Sequence, residues 1–172
     1  RGRNWYSPFA ASLYFSMYWK LEQGIQAAMG LSLVVAIAIA RLLKQQYQVD
    51  AKVKWPNDVY VDGKKLCGIL GELAGQAHAG CDVIIGIGMN IRLPQQAPDN
   101  IDQQYIDLAY AAGQVVDRNL LVALLQQQLM MLLTEFTQNG FGCFVDEFNQ
   151  YNQYRDKAVK LIGNTEVQGI CL

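Results

Sequence analysis

From Ser12 to Trp19 apolar and polar positions alternate, with Leu13, Phe15, Met17 and Trp19 on one side and Ser12, Tyr14, Ser16 and Tyr18 on the other. A period of two predicts a strand with one strongly apolar face. Gln26 to Tyr47 is rich in Ala, Leu and Ile and lacks proline. Its apolar positions surround the axis until Arg41 and Lys44, which predicts a helix buried on most sides. Gly30 falls inside that helix, at a cost of about 1 kcal/mol relative to alanine. Beyond it Ala51 to Trp55 alternates, Pro56-Asn57-Asp58 interrupts, and Val59 to Val61 resumes. Asp62-Gly63 is a two-residue hairpin signal. The returning strand is expected over Lys64 to Leu73, then a small-residue loop Gly75 to Gly80, then a strand Asp82 to Ile91. Three strands joined by short loops make an antiparallel meander rather than a doubly wound sheet.

Residues 92 to 104 hold two prolines and many Gln, Asp and Asn, and read as a loop. Asp117 or Asn119 can cap a helix running to about Gln138, with Leu121, Leu125, Leu129, Leu132 and Phe136 as its core stripe. Gly140 ends it. Phe144, Phe148 and Tyr151 predict a further amphipathic helix. Val159 and Leu161 are then expected to face Val167 and Ile170 across a Gly163-Asn164 turn. The fold class is α+β, with a change of domain near residue 156.

Composition narrows the function. Hydrophobic residues make up 52% of the 172, and charged residues 17%, against roughly 25% in typical soluble domains. That excludes a disordered chain. Fourteen basic and 15 acidic residues leave a net charge of −1, which argues against a nucleic-acid module. Cys67, Cys81, Cys143 and Cys171 show no CxxC spacing and His78 is the only histidine, so no zinc site is expected. The cysteines fit a reducing, cytoplasmic setting. The most apolar run, Leu31 to Ala40, reads as too short to span a bilayer. The chain starts at Arg1 rather than Met, which points to a piece of a longer protein.

Phosphate-loop, dinucleotide and nucleophile-elbow motifs are absent, and one histidine makes a Ser-His-Asp triad improbable. What remains is a concentration of unusual residues. Lys54-Trp55-Pro56-Asn57-Asp58 places a cation, an aromatic plate, a rigid turn and a carboxylate in five residues; the plain alternative is a strand end closed by an Asx turn. Lys64-Lys65 follows the hairpin turn, and only one of two adjacent strand residues can face the sheet's covered side. Such a lysine can hold a carboxylate or phosphate; two solvated hairpin lysines are the alternative. In Gly86-Ile87-Gly88-Met89-Asn90 both glycines and Asn90 share a face. Paired glycines mean something comes close to the backbone, either a flat ligand or a helix. Arg1-Gly2-Arg3-Asn4-Trp5 offers two guanidinium forks suited to carboxylate or phosphate, or simply a basic terminus.

In this order, the segments Arg1 to Trp5, Leu13 to Ser16, Gly30 to Leu33, Lys54 to Asp58, Lys64 to Leu70, Gly86 to Asn90 and Asp117 to Asn119 resemble biotin–protein ligases. The likeness is greatest to the bacterial bifunctional kind that also represses biotin synthesis. It implies a largely antiparallel, mixed sheet covered by helices (residues 1–155, the class II synthetase-like catalytic domain) and the start of an SH3-like β-domain (156–172). The implied reaction joins biotin to ATP as biotinoyl-5′-AMP, with Mg2+ accompanying the ATP and no protein ligand for it identified. The biotinoyl group then passes to a lysine of the biotin carboxyl carrier protein of acetyl-CoA carboxylase.

Position by position, the resemblance makes Lys65 the essential lysine that contacts the biotin carboxylate and the phosphate. Trp5, Tyr14, Leu70, Gly86, Gly88 and Arg1 fall at the biotin pocket, and Arg3 joins Lys65 and Asp58 as a catalytic candidate. Asp58 would position the acceptor amine or take its proton. Asn90, Tyr105, Asn57 and Lys54 fall toward the adenylate, with Tyr105 where repressor-type ligases carry a tryptophan over the adenine. The segment that binds the biotin ureido group and most of the arginine-rich loop belong upstream of Arg1, so the isolated chain is expected to be inactive or impaired. A homodimer is implied, with the Gly75 to Gly80 loop a candidate interface. DNA is a partner only if the parent has a helix-turn-helix domain, and a membrane is not expected. A lipoate-ligase-like acyltransferase and a biotin-adenylate-sensing repressor domain are the alternative readings.

Overall fold

The computed structural model describes residues 8–75, 80–94, 104–162 and 166–171. Five strands form one sheet: β1 (Ser12–Leu21), β2 (Lys52–Lys54), β3 (Asp58–Val61), β4 (Lys64–Gly75) and β5 (Cys81–Asn90), in the order β1-β5-β4-β3-β2. Every strand pairing is antiparallel. Among the described residues, parallel character is confined to two isolated bridges, Val53 to Asn152 and Lys65 to Tyr105. The Asp62-Gly63 turn takes positive φ at both residues (50° and 72°), as a tight hairpin requires.

Four helices complete the fold: α1 (Leu31–Tyr47), α2 (Leu108–Ala112), α3 (Arg118–Asn139) and α4 (Val145–Tyr151). The odd-numbered residues of β1 and β5 turn toward them. Val83, Ile85, Ile87 and Met89 are buried, and Trp19 donates from its indole N–H to the Thr137 hydroxyl of α3 at 3.0 Å. α1 is buried on almost every side, between the sheet and α3. Arg41 on α1 meets Glu147 on α4 in a two-pronged ion pair at 2.5 Å, the geometry in which guanidinium and carboxylate bind best. Asp117 caps α3 by accepting from the Asn119 and Leu120 amides. The stripe expected on that helix is buried throughout.

Several expectations need correction. The helix expected over residues 26–47 is a 3-10 turn (Ile25–Ala28) followed by α1, and Gly30 caps α1 at φ +87 rather than sitting inside it. An added Cβ there would lie 2.7–2.9 Å from atoms of the Phe141 side chain, so both backbone and packing demand glycine. Residues Ile25–Tyr47 and Arg118–Asn139 are each long and apolar enough to cross a membrane, so length does not exclude a span; burial of α1 in the protein accounts for its apolarity. α2 was not expected, because five residues are too few to show a period. A 3-10 turn, Phe141–Phe144, precedes α4.

The C-terminal hairpin pairs β6 (Ala158–Ile162) with β7 (Glu166–Ile170) in a separate two-stranded sheet. Leu161 does oppose Val167, but Val159 meets Gly169, and Ile170 lies on the other face opposite Ala158. The Gly163-Asn164 turn itself lies outside the described residues.

Candidate active site

Directly opposed residues of a ladder share a face, so the register defines a row across all five strands. Tyr14 opposes Gly88, Gly88 opposes Gly68, Gly68 opposes Asp58, and Asp58 opposes Lys54. A second row runs Ser16, Gly86, Leu70. This is the face away from the helices. Tyr14 and Leu70 are exposed on it, at 55% and 60%. The glycine pair therefore does not serve helix packing. An added Cβ at Gly86 would stand 3.6–3.7 Å from Leu70 atoms, an ordinary contact. The fold itself leaves room for a larger residue there.

Lys65 reaches this face through an irregularity. Val59 opposes Cys67, yet Tyr60 opposes Lys65, so Leu66 is an extra residue in β4. Bulges re-aim side chains in this way. Without it, Lys65 would share the buried side with Cys67. With it, Lys65 turns onto the open face, and its Nζ pairs with Asp58 Oδ1 at 2.7 Å. The expectation that the binding lysine faces the covered side is thus corrected. Gly68 lies beneath the pair: a Cβ there would be 3.4 Å from Lys65 Nζ and 3.5 Å from Asp58 Oδ1.

The other candidates are held by specific bonds. Asn57 donates its amide to the Ile69 carbonyl at 2.6 Å and accepts at its own carbonyl from the Ile69 N–H at 2.9 Å. It braces the turn that carries Asp58. The Lys54 ammonium bonds the Tyr60 hydroxyl at 3.2 Å and lies 4.9 Å from that ring's centre. Burial pulls the Lys54 pKa down, but the bond to Tyr60 and attraction by Tyr60 and Tyr154 outweigh it, and the net shift is upward. Asn90, buried, donates to the Ile106 carbonyl at 3.2 Å. Lys65 also anchors that segment, its N–H donating to the Gln104 carbonyl and its carbonyl accepting from the Ile106 N–H, both at 3.0 Å. The Lys65 backbone and the Asn90 side chain thus both bond the segment that carries Tyr105.

Arg1, Arg3 and Trp5 lie outside the described residues, as do residues 76–79 of the Gly75 to Gly80 loop. Two participants were not anticipated. Gly68 was legible as part of Lys64 to Leu70, but its place under the ion pair follows only from register. Tyr60, which holds Lys54 and opposes Lys65, carried no signal. A cavity of about 840 Å3, to which no residue of the row contributes, is lined by Lys64, Arg92, Tyr105, Ile106, Tyr110 and Arg118 among others. That volume suits a ligand of nucleotide size. Among the described residues no group of three His, Cys, Asp or Glu side chains forms a metal site.

The structure superposes on that of the biotin protein ligase from Aquifex aeolicus in complex with biotin and ATP with a TM-score of 0.81 at 26% identity, covering 98% of this chain and 69% of that one. Residues 1–90 match the biotin/lipoate A/B protein ligase family, and the chain belongs to it. Within the family it is 43% identical over 171 residues to the bifunctional ligase/repressor BirA of Salmonella typhimurium and 41% identical to that of Escherichia coli. It is 30% identical over 132 residues to the biotin–[acetyl-CoA-carboxylase] ligase of Mycobacterium tuberculosis. The chain spans about half the length of these relatives (99% of this chain against 53% of either BirA).

Proposed function

We propose that this chain is the catalytic core of a biotin–protein ligase. A biotin carboxylate oxygen attacks the α-phosphorus of ATP and pyrophosphate leaves, giving biotinoyl-5′-AMP. The neutral amine of an acceptor lysine then attacks the carbonyl carbon, and AMP leaves. The observation that carries this reading is the bulge that turns Lys65 onto the glycine-floored face beside Asp58. Carboxylate and α-phosphate are both anionic, so bringing them together needs a cation at the reacting centre.

The remaining roles follow the same geometry. The flat bicyclic ring of biotin lies over Gly86 and Gly88, flanked by Tyr14 and Leu70, with Arg1 and Trp5 from the preceding segment. Arg3 adds charge at the phosphate. Asn90 and Tyr105 take the adenine side, with Lys54 and Asn57 shaping the neighbouring edge. Asp58 holds the acceptor amine or takes its proton once the anionic ligand draws Lys65 away. Magnesium, meeting no ligand cluster among the described residues, is carried by the triphosphate.

The acceptor is the biotin carboxyl carrier protein of acetyl-CoA carboxylase, the setting is cytoplasmic, and the intact protein pairs through sheet edges. Residues 156–172 open a small SH3-like domain, which the left-handed Asp156 (φ 60) and the separate β6–β7 sheet support. The test is pyrophosphate release by the intact protein carrying this chain. Release should require biotin, and label should then move to a carrier-domain lysine. Release with lipoate but not biotin overturns the reading.

A further inference from the structure

Arg118 is the first residue of α3, a poor place for a cation because the positive end of the helix dipole lies there. Its guanidinium instead donates to the carbonyl of Ala10. Ala10 sits in a left-handed turn at φ 55, a conformation alanine adopts only under constraint. The same turn is closed by the Ala11 N–H donating to the Pro8 carbonyl at 3.2 Å. The Ala11 carbonyl accepts from the Ile91 and Arg92 amides, at 3.0 and 2.9 Å. The turn leads directly into β1, which carries Tyr14 opposite Gly88. Its second anchor, Ile91, directly follows Asn90.

We infer that Arg118 is a positioning residue, holding the Pro8–Ala11 turn and with it the start of β1, where Tyr14 stands opposite Gly88 at the biotin end of the site. The inference rests on the ligase reading above. Arg118 also borders the cavity lined by Tyr105 and Arg92, where a guanidinium could instead meet the polyphosphate, and the two roles differ in which substrate they affect. A residue that fixes the turn governs affinity for biotin. One that faces the cavity governs affinity for ATP.

The experiment uses the intact protein with Arg118→Ala and Arg118→Lys, measuring pyrophosphate release with biotin and ATP varied separately. Loss of one hydrogen bond from a charged donor predicts a KM for biotin raised about tenfold in Arg118→Ala. The KM for ATP should stay within twofold, and Arg118→Lys, which keeps one charged donor, should recover most of the loss. In the ligand-free proteins, amide exchange at Ala11 should quicken in Arg118→Ala and not in Arg118→Lys. That second measurement needs no turnover, so it tests Arg118 even if the ligase reading fails. Unchanged exchange at Ala11, an effect confined to ATP, or a KM for biotin within twofold of the parent each overturns the inference.

Discussion

The row Leu13, Met89, Cys67, Val59, Val53 and the row Tyr14, Gly88, Gly68, Asp58, Lys54 cross the same five strands one residue apart. In the first row, on the helix side, all but Leu13 are fully buried. In the second the fold leaves two glycines, an exposed tyrosine, Lys54, and Asp58 paired with Lys65 of the neighbouring strand. Burial of apolar area fixes residue size on one face, since interiors tolerate neither gaps nor crowding. On the other face nothing in the fold asks for glycine or for charge. One sheet thus divides by parity, with the buried core on odd positions of β5 and the proposed site on even ones.

Adjacent residues of β5 test that division most directly. Ile85 is fully buried and Ile84 is 42% exposed. Ile85→Ala should cost about 2–5 kcal/mol in urea denaturation, whereas Ile84→Ala should stay within about 0.5 kcal/mol. Equal losses would break the comparison. Lys65→Ala in the intact protein should slow adenylate formation on the order of a hundredfold, roughly 2.7–4 kcal/mol of barrier. Lys64→Ala should do far less, since Lys64 opposes Val61 and is not turned onto the open face beside Asp58. The reverse outcome would mean that the bulge aims the wrong lysine. Asp117→Ala sharpens the helix side: losing the cap on α3 should lower stability by about 0.5–2 kcal/mol, read in the same denaturation assay, with biotin-dependent pyrophosphate release little changed.

Much of this was legible in the chain. The alternation Leu13, Phe15, Met17, Trp19 announces β1, Asp62-Gly63 announces its hairpin, and Asp117 and Gly140 bracket α3, because each rests on a local rule. Gly30 was misread because it interrupts an apolar run without changing its periodicity; only the Phe141 ring against it shows why the chain turns there. The bulge at Leu66 has no local signature, since Lys64-Lys65-Leu66-Cys67-Gly68 suits a regular strand equally well. The pairing of Lys65 with Asp58 is therefore a tertiary fact. α2 was missed because Asp107, whose carboxylate accepts from the Tyr110 and Leu93 amides, caps a helix too short for its pattern to register.

Strand order also governs when the site can exist. β3, β4 and β5 follow one another in the chain, so Gly68, Gly88, Lys65 and Asp58 are brought together by short loop closures. β1 pairs only with β5, so Leu21 must find Cys81 and Ser12 must find Asn90. The entropy of closing a loop grows with its length, and distant pairings are the slow ones. During synthesis β1 leaves the ribosome before β5, so its pairing has to wait for the strand that holds Gly86 and Gly88. The floor of the site is laid before its Tyr14 wall.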